Sequence, residues 1–518
     1  MVDRPRVLSN DDGWILSSYE PPITIEQMRD NMVGPHAGSA IDTFLWSVGG
    51  REVLSYETVI GERFADGVED FANEADRVRA LNLRHLIEHH GGPVTAIARL
   101  CREAGRRFFP SLRMNTHYNT EEDSLSFGRF RRDHPDLLIG RADDPPYGST
   151  HWGLRTGKDY AFPQVRDFMV AIACELLERF DVDGIELDFM RHPGVFRPEQ
   201  GYANRHLLTD MVRQLRARMD EIGKAKGRAL ELEVRVASSL YDSERLGMEA
   251  ERWMKEGLVD IVVTGLGFRP FEAKVAEFAA AAEGTGCQVL GCFEGLRPVV
   301  ETEVLRAMAA RYWDAGADGL YFFNFYSMSA DWKRHTVGEL ADPERLARLS
   351  KQYQIDRGNP PSVDSQIGHA FRHCMPLEQL PLRLEETRAD ARARLTFDLA
   401  DDVAAAEREG ALESCVLGLA FADLDEVDEV VIHLNGIELS WDQRRIRDRP
   451  WTEERYDGEW NRYPSRTRAE PLDWDPVEFT LLGSELRKGS NELLVGLIRR
   501  ETAPALLLES VRIWIRYA

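Results

Sequence analysis

Eight short runs of β-branched and aromatic residues, separated by amphipathic helical stretches, constrain this chain more than any other feature. The runs are Val7–Asn10, Ile41–Val48, Phe108–Asn115, Gly184–Phe189, Leu232–Ser238, Ile261–Gly265, Gln288–Phe293 and Gly319–Phe325. Strand–helix alternation calls for a parallel sheet, because each crossover helix returns the chain to run in the same direction. Eight such units predict a closed (β/α)8 barrel of TIM type, whereas an open doubly wound sheet more often has about five to seven strands.

The helices carry their own punctuation. Thr24 with Gln27 forms a capping-box pattern ahead of Met28 and Met32. After Pro163, Val165, Phe168, Met169, Ile172, Leu176 and Phe180 recur at helical spacing, and Glu303 to Ala315 is closed by Gly316. The polar stretch from Asn115 to Pro163 reads as an elaborated loop after the third strand, on the face where barrels keep their active sites. Asp342 to Tyr353 reads as a last helix, and Asp356-Arg-Gly-Asn-Pro-Pro as the start of a linker. Beyond about residue 380 the pattern changes to short strands, Arg394–Leu399, Val416–Phe421, Val430–Leu434, Val477–Leu482, Leu493–Ile498 and Leu506–Tyr517, with turns such as Asn435-Gly436. A mostly antiparallel, jelly-roll-like β-sandwich is expected there. The division is then 1–358 barrel, 359–380 linker and 381–518 sandwich, which suits 518 residues, too many for one core.

A net charge of −23 argues against nucleic acid and anionic membranes as partners, and no apolar run reaches the length of a membrane helix. Met1-Val-Asp-Arg-Pro-Arg runs into the first strand without the apolar stretch of a secretory leader, so a cytoplasmic location is expected. The six cysteines, scattered and mostly within apolar runs, read as buried thiols. Self-association as a homo-oligomer is left open.

The segment Asp181-Val-Asp-Gly-Ile-Glu-Leu-Asp-Phe-Met-Arg-His-Pro193 carries the sharpest chemistry. Glu186 and Asp188 alternate with Ile185, Leu187 and Phe189, so both carboxyl groups share one face of the fourth strand. With the apolar face packed on helices, the acidic face points into the barrel. Two readings stand: an ion-pair layer neutralised by Arg113 and Arg235, or catalytic groups with Asp188 nearer the mouth. Asp183-Gly184 reads as the turn entering the strand. Glu294, closing the seventh strand, is the second catalytic candidate or else a solvated loop acid. Glycosidic cleavage generally uses two carboxyl groups, one protonating the leaving oxygen and the other acting as nucleophile or base. Asp11-Asp12-Gly13 after the first strand is turn chemistry, a sugar-hydroxyl contact, or a site for a divalent metal. Trp46, Arg113, Asn115, His117, His151, Trp152, Arg191, His192, Asn324, Tyr326 and Trp332 complete a candidate substrate-binding set of aromatic faces and polar donors near strand ends.

The stretch Asp159-Tyr-Ala-Phe-Pro-Gln-Val-Arg-Asp-Phe-Met, followed by Glu175-Leu-Leu-Glu-Arg-Phe-Asp-Val-Asp-Gly-Ile-Glu-Leu-Asp-Phe-Met-Arg, resembles the family-ten-like glycosyl hydrolase barrels of bacteria. Phe130-Arg-Arg-Asp-His-Pro-Asp-Leu and Trp253-Met-Lys-Glu-Gly-Leu-Val-Asp260 look like that family too. The resemblance spans roughly residues 5–355 and implies a glycosidase-like role, with Asp188 as general acid/base, Glu294 as nucleophile or base and Glu186 in support. The same strand looks like the chitinase Asp-Gly-x-Asp-x-Asp-x-Glu motif but departs from it at Met190, where that motif has its catalytic glutamate. Leu434-Asn-Gly-Ile-Glu and Asn491-Glu-Leu-Leu-Val look like galactose-binding-like sandwiches. Two other functions fit the same residues: a metal-dependent lyase or isomerase acting on a sugar acid through Asp11, Asp12, Asp188 and His117 or His192, and a glycan-binding barrel without activity.

Overall fold

The computed structural model describes residues 6–50, 52–116, 121–190, 193–265, 270–294, 301–325, 328–356, 379–385, 392–446, 451–456, 467–501 and 505–518. Eight parallel strands close into a barrel: β1 (Arg6–Asp11), β2 (Thr43–Gly50), β3 (Arg107–Arg113), β4 (Gly184–Asp188), β5 (Glu231–Val236), β6 (Ile261–Thr264), β7 (Gln288–Glu294) and β8 (Gly319–Phe323). Each expected run contributes one strand, and each strand pairs with its sequence neighbours, β8 closing on β1.

Alternation of side chains divides the barrel into two cores. Leu8, Leu45, Phe109, Ile261, Val263, Leu290, Cys292, Tyr321 and Phe323 fill the axis. Their chain neighbours, among them Phe44, Trp46, Ile185, Leu187, Val234, Val262 and Phe322, pack outward among the helices. The bottom is closed by polar groups: Arg6 reaches Glu231 and Asp42, and Arg107 pairs with Glu231 at 2.7 Å. Asp183 secures the entry to β4 by accepting from the Phe108 amide at 2.9 Å. Gly184 must be glycine, since a Cβ there would stand 2.4 Å from the Glu231 carbonyl and 2.8 Å from the Phe109 ring.

The helix Pro163–Arg179 starts at its proline, and Thr24 with Gln27 makes both bonds of the capping box. Among the described residues, the C-terminal strands form a two-stranded ribbon of Thr452–Tyr456 with Thr467–Pro471 and two larger antiparallel sheets. One runs Lys351–Gln354, Ala505–Tyr517, Leu412–Ala422, Asp475–Thr480 and Arg445–Ile446, with Leu382–Glu385 also on Ala505–Tyr517; the other runs Ala393–Leu399, Gly489–Arg499, Glu429–Leu434 and Ile437–Leu439. Asn435 (φ 53°) and Gly436 (φ 87°) make the tight turn between two of these strands, as the Asn-Gly pair requires.

The expected last helix is a correction. Only Pro343–Leu346 is helical, and Lys351–Gln354 is a strand paired with Ala505–Tyr517. The sandwich therefore begins before the expected boundary at 381. Its apolar residues at 353, 355 and 384 join the sandwich core rather than the barrel. Five of the cysteines (101, 174, 287, 292, 415) are free and buried, and Cys374 lies outside the described residues, as does most of the expected linker. No helix among the described residues is long and apolar enough to cross a membrane.

Candidate active site

β4 and β5 lie side by side with Glu186 opposite Glu233 and Asp188 opposite Arg235. All four side chains face the axis and are buried. At the upper level Arg235 grips Asp188 with two nitrogens, Nε to Oδ1 at 2.9 Å and Nη2 to Oδ2 at 3.0 Å, and the Met190 amide adds a bond to Oδ1 at 3.1 Å. A carboxylate held in this fork is stabilised as the anion. The Phe323 ring lies 4.0 Å from the guanidinium, and Arg235 Nη1 reaches the Cys292 sulfur at 4.0 Å. Burial holds that thiol protonated.

At the lower level Glu186 accepts from Asn10 Nδ2 at 2.7 Å and from the Tyr321 hydroxyl. Burial, reinforced by the neighbouring Asp188 charge, pushes its carboxyl up to about 7. Glu233 is raised as well, first by burial and then by Glu186. Sequence reasoning missed Glu233, although Glu231, Glu233 and Arg235 alternate with apolar residues just as the β4 acids do.

Glu294 ends β7, with 4 % exposure, and accepts from Asn324 Nδ2 at a long 3.4 Å. Asn324 sits just past β8 with φ 65°, a left-handed backbone unusual for a residue bearing a side chain, and its amide donates to the Asn10 carbonyl at 3.0 Å. The Oδ1 atoms of both Asn10 and Asn324 are buried without a hydrogen-bond partner. β1 and the residue just past β8 thus leave acceptors unmet beside the carboxyl groups, as a site that binds hydroxyl groups would.

Several other candidates are placed elsewhere. Arg113 pairs with Asp12. Asp11 falls on the outward face of β1, accepts from the Gly13 amide at 2.8 Å, and lies near the buried Lys333, whose amine burial lowers to about 7. Trp46 points outward into the helix layer, because Leu45 faces the axis. Asn115 uses its whole amide as a staple: Nδ2 donates to the Lys158 and Gly194 carbonyls at 2.9 and 2.8 Å, and Oδ1 accepts from the Lys158 amide at 2.9 Å. In the loop after β3, His151 pairs with Glu199 at 2.9 Å, and Trp152 lies 3.9 Å beneath the Arg155 guanidinium. Trp332 stacks on Phe325 with ring centroids 5.5 Å apart. His117, Arg191, His192 and Tyr326 lie outside the described residues. Among the described residues, the three aspartates of the candidate metal set are not brought together: Asp11 faces outward, Asp12 is paired with Arg113 and Asp188 with Arg235.

Neither a family model nor a curated protein matches the chain. Solved structures do share its general path. They include an α-galactosidase from Geobacillus stearothermophilus (12 % identity, 96 % of this chain and 56 % of that one, TM-score 0.39). Another is an endo-β-1,4-mannanase from Thermotoga petrophila (11 % identity, 98 % of this chain and 97 % of that one, TM-score 0.43). A third is the PgaB glycoside hydrolase domain from Bordetella bronchiseptica (12 % identity, 66 % of this chain and 98 % of that one, TM-score 0.41). This chain spans only about half the length of the α-galactosidase. At this identity and superposition the likeness carries no argument, and the functional reading rests on the chain's own residues.

Proposed function

We propose that this chain is a glycoside hydrolase-like enzyme acting on an oligo- or polysaccharide with carboxyl groups at the C-terminal end of its barrel. One observation carries the reading. The axis of β4, β5 and β7 holds Glu186, Asp188, Glu233 and Glu294 where a barrel core is ordinarily built from Val, Ile and Leu. Burying carboxyl groups costs stability. Asp188 and Glu294, at the ends of β4 and β7 on the face where barrels do chemistry, are accounted for by a reaction that uses them.

The surroundings favour roles opposite to those first expected. Asp188, held as an anion by Arg235, suits the nucleophile or base. Glu294, at the end of β7 beside the mouth, then takes the part of the acid that protonates the leaving glycosidic oxygen. In the retaining form, a carboxylate oxygen of Asp188 bonds to the anomeric carbon as the C–O bond to the leaving group breaks and Glu294 gives up its proton. Water, deprotonated by Glu294, then releases the sugar and restores both groups. In the inverting form Asp188 instead takes a proton from the attacking water.

The test is hydrolysis by Asp188→Asn and Glu294→Gln variants, using a glycan on which the wild type has first been shown to act. Both should lose activity by on the order of 10²–10⁴-fold. On an aryl glycoside with a good leaving group, which needs little protonation, Glu294→Gln should recover the glycosyl-transfer step while Asp188→Asn stays inactive. Wild-type turnover by either variant on the natural linkage would overturn the assignment.

A further inference from the structure

Glu233 has no part in the mechanism above, yet it is one of the most tightly enclosed charged residues in the barrel. It is 0 % exposed, and neither carboxyl oxygen has a hydrogen-bond partner. The groups facing it are few. On its own strand are Glu231 and Arg235; β4 contributes Glu186 and Asp188, β8 contributes Tyr321, and β1 contributes Arg6. Both cations are engaged with other acids, Arg235 with Asp188 and Arg6 with Glu231 and Asp42. Tyr321 spends its hydroxyl on Glu186. An anion left here with no donor would carry nearly its full desolvation cost. A neutral acid would not, and it would bring an O–H group to donate. The residue opposite it in the strand register is Glu186. Glu186 accepts from Asn10 and Tyr321, one on each oxygen, with Ser111 opposite it in the register also acting on it, and a carboxylate's two oxygens have room for a further bond.

We propose that Glu233 is a neutral carboxylic acid in the working protein and shares its proton with Glu186 through a hydrogen bond, as a positioning residue beneath the Asp188–Arg235 pair. Neutral Glu233 leaves the Arg235 charge to Asp188, whereas ionised Glu233 would compete for it and weaken the fork that orients the proposed nucleophile. The inference builds on the glycosidase reading for its role, but its first test needs no substrate.

That test is infrared spectroscopy at pH 8, where the exposed members of the 88 aspartates and glutamates are ionised. At pH 8 the wild type should show the carbonyl stretch of an undissociated carboxylic acid, and Glu233→Gln should lose most of it, leaving only the small remainder from Glu186 and Asp356, which titrate at about 7. A wild-type spectrum without this band at pH 8, or one unchanged in Glu233→Gln, would overturn the proposal whether or not the protein is a glycosidase. The second test is the pH dependence of hydrolysis. Glu233→Gln keeps a neutral N–H donor and should keep the wild-type profile. Glu233→Leu removes the donor to Glu186, so the Glu186 ionisation should move upward by about one pH unit. An equal shift in both variants would show that the charge of Glu233, not its hydrogen bond, matters, and would refute the proposal. Absence of glycan hydrolysis by the wild type, alongside the expected infrared difference between wild type and Glu233→Gln, would instead count against the glycosidase reading alone.

Discussion

The charge of a carboxyl group inside a barrel is decided by its neighbours, and Glu186 shows how closely. It lies one step along the strand from Asp188, which has a guanidinium, while Glu186 has only neutral donors in Asn10 and Tyr321. Burial first, and then the adjacent Asp188 charge, hold its proton up to about 7, against an ordinary glutamate value of 4.5. The sign of the consequence follows from linkage. Between these two values the unfolded chain releases the proton while the folded chain keeps it, so Glu186 lowers stability as pH rises through this window. Glutamine at this position removes the effect. It also fits, because Asn10 can turn its amide and offer the unpartnered Oδ1 to the new NH2 group. Glu186→Gln should thus match the wild type near pH 4.5 and become progressively more stable than it up to pH 7, by roughly 3 kcal/mol at most. Urea denaturation at several pH values reads this directly, and a stability difference independent of pH would mean that Glu186 does not titrate in this range.

At the scale of elements, the barrel strands and their inward faces are legible in the sequence because most strands, β4 and β5 clearest among them, satisfy one local rule, a period of two with an apolar outer face. Asp188 and Glu186 were found by that rule, and Glu233 obeys it equally well in Glu231-Leu-Glu-Val-Arg235. What local pattern does not show is where a side chain at a strand end turns. Trp46 looks like a mouth aromatic but is one residue out of phase with Leu45 and packs among helices. The segment at 351–354 was expected to be helical because its strand character comes from pairing with residues 512–515, far along the chain. Asn115 likewise gave no hint of its use, since its partners Lys158 and Gly194 are brought to it by folding. It ties the end of β3 to both the long loop and the segment after β4. Asn115→Ala would remove the partner of two buried carbonyls and two amides, those of Lys158 and Thr116, costing about 2–4 kcal/mol. The expected result is a lower melting temperature with faster proteolysis between residues 116 and 162, whereas unchanged cleavage there would mean that other contacts hold the loop.

At the scale of the molecule, the sandwich is joined to the barrel by more than a tether. The strand Lys351–Gln354 leaves the barrel and enters the outer sheet directly, and Ala307 of the barrel helix Thr302–Asp314 belongs to the sandwich core. Ion pairs Lys488–Asp314 and Arg311–Asp398 cross the same junction. At its centre a buried Asp401 receives Lys351 Nζ at 2.8 Å, the Tyr517 hydroxyl at 2.6 Å and the Tyr353 hydroxyl. Three donors from the first and last strands of the sheet thus meet on one acid, and burial lowers the Lys351 amine and so raises its dependence on that acid. Alanine at 401 would leave a buried ammonium and two hydroxyls without their acceptor, a loss of about 3–5 kcal/mol. Because the strand that carries Lys351 and Tyr353 continues from the barrel, the damage should not stay in the sandwich. Calorimetry of Asp401→Ala should show the barrel and sandwich unfolding together at a lowered temperature, with hydrolysis lost at that same temperature. A barrel transition that stays at the wild-type temperature while the sandwich melts early would show instead that the two units are energetically separate, and that the shared helix contact contributes little.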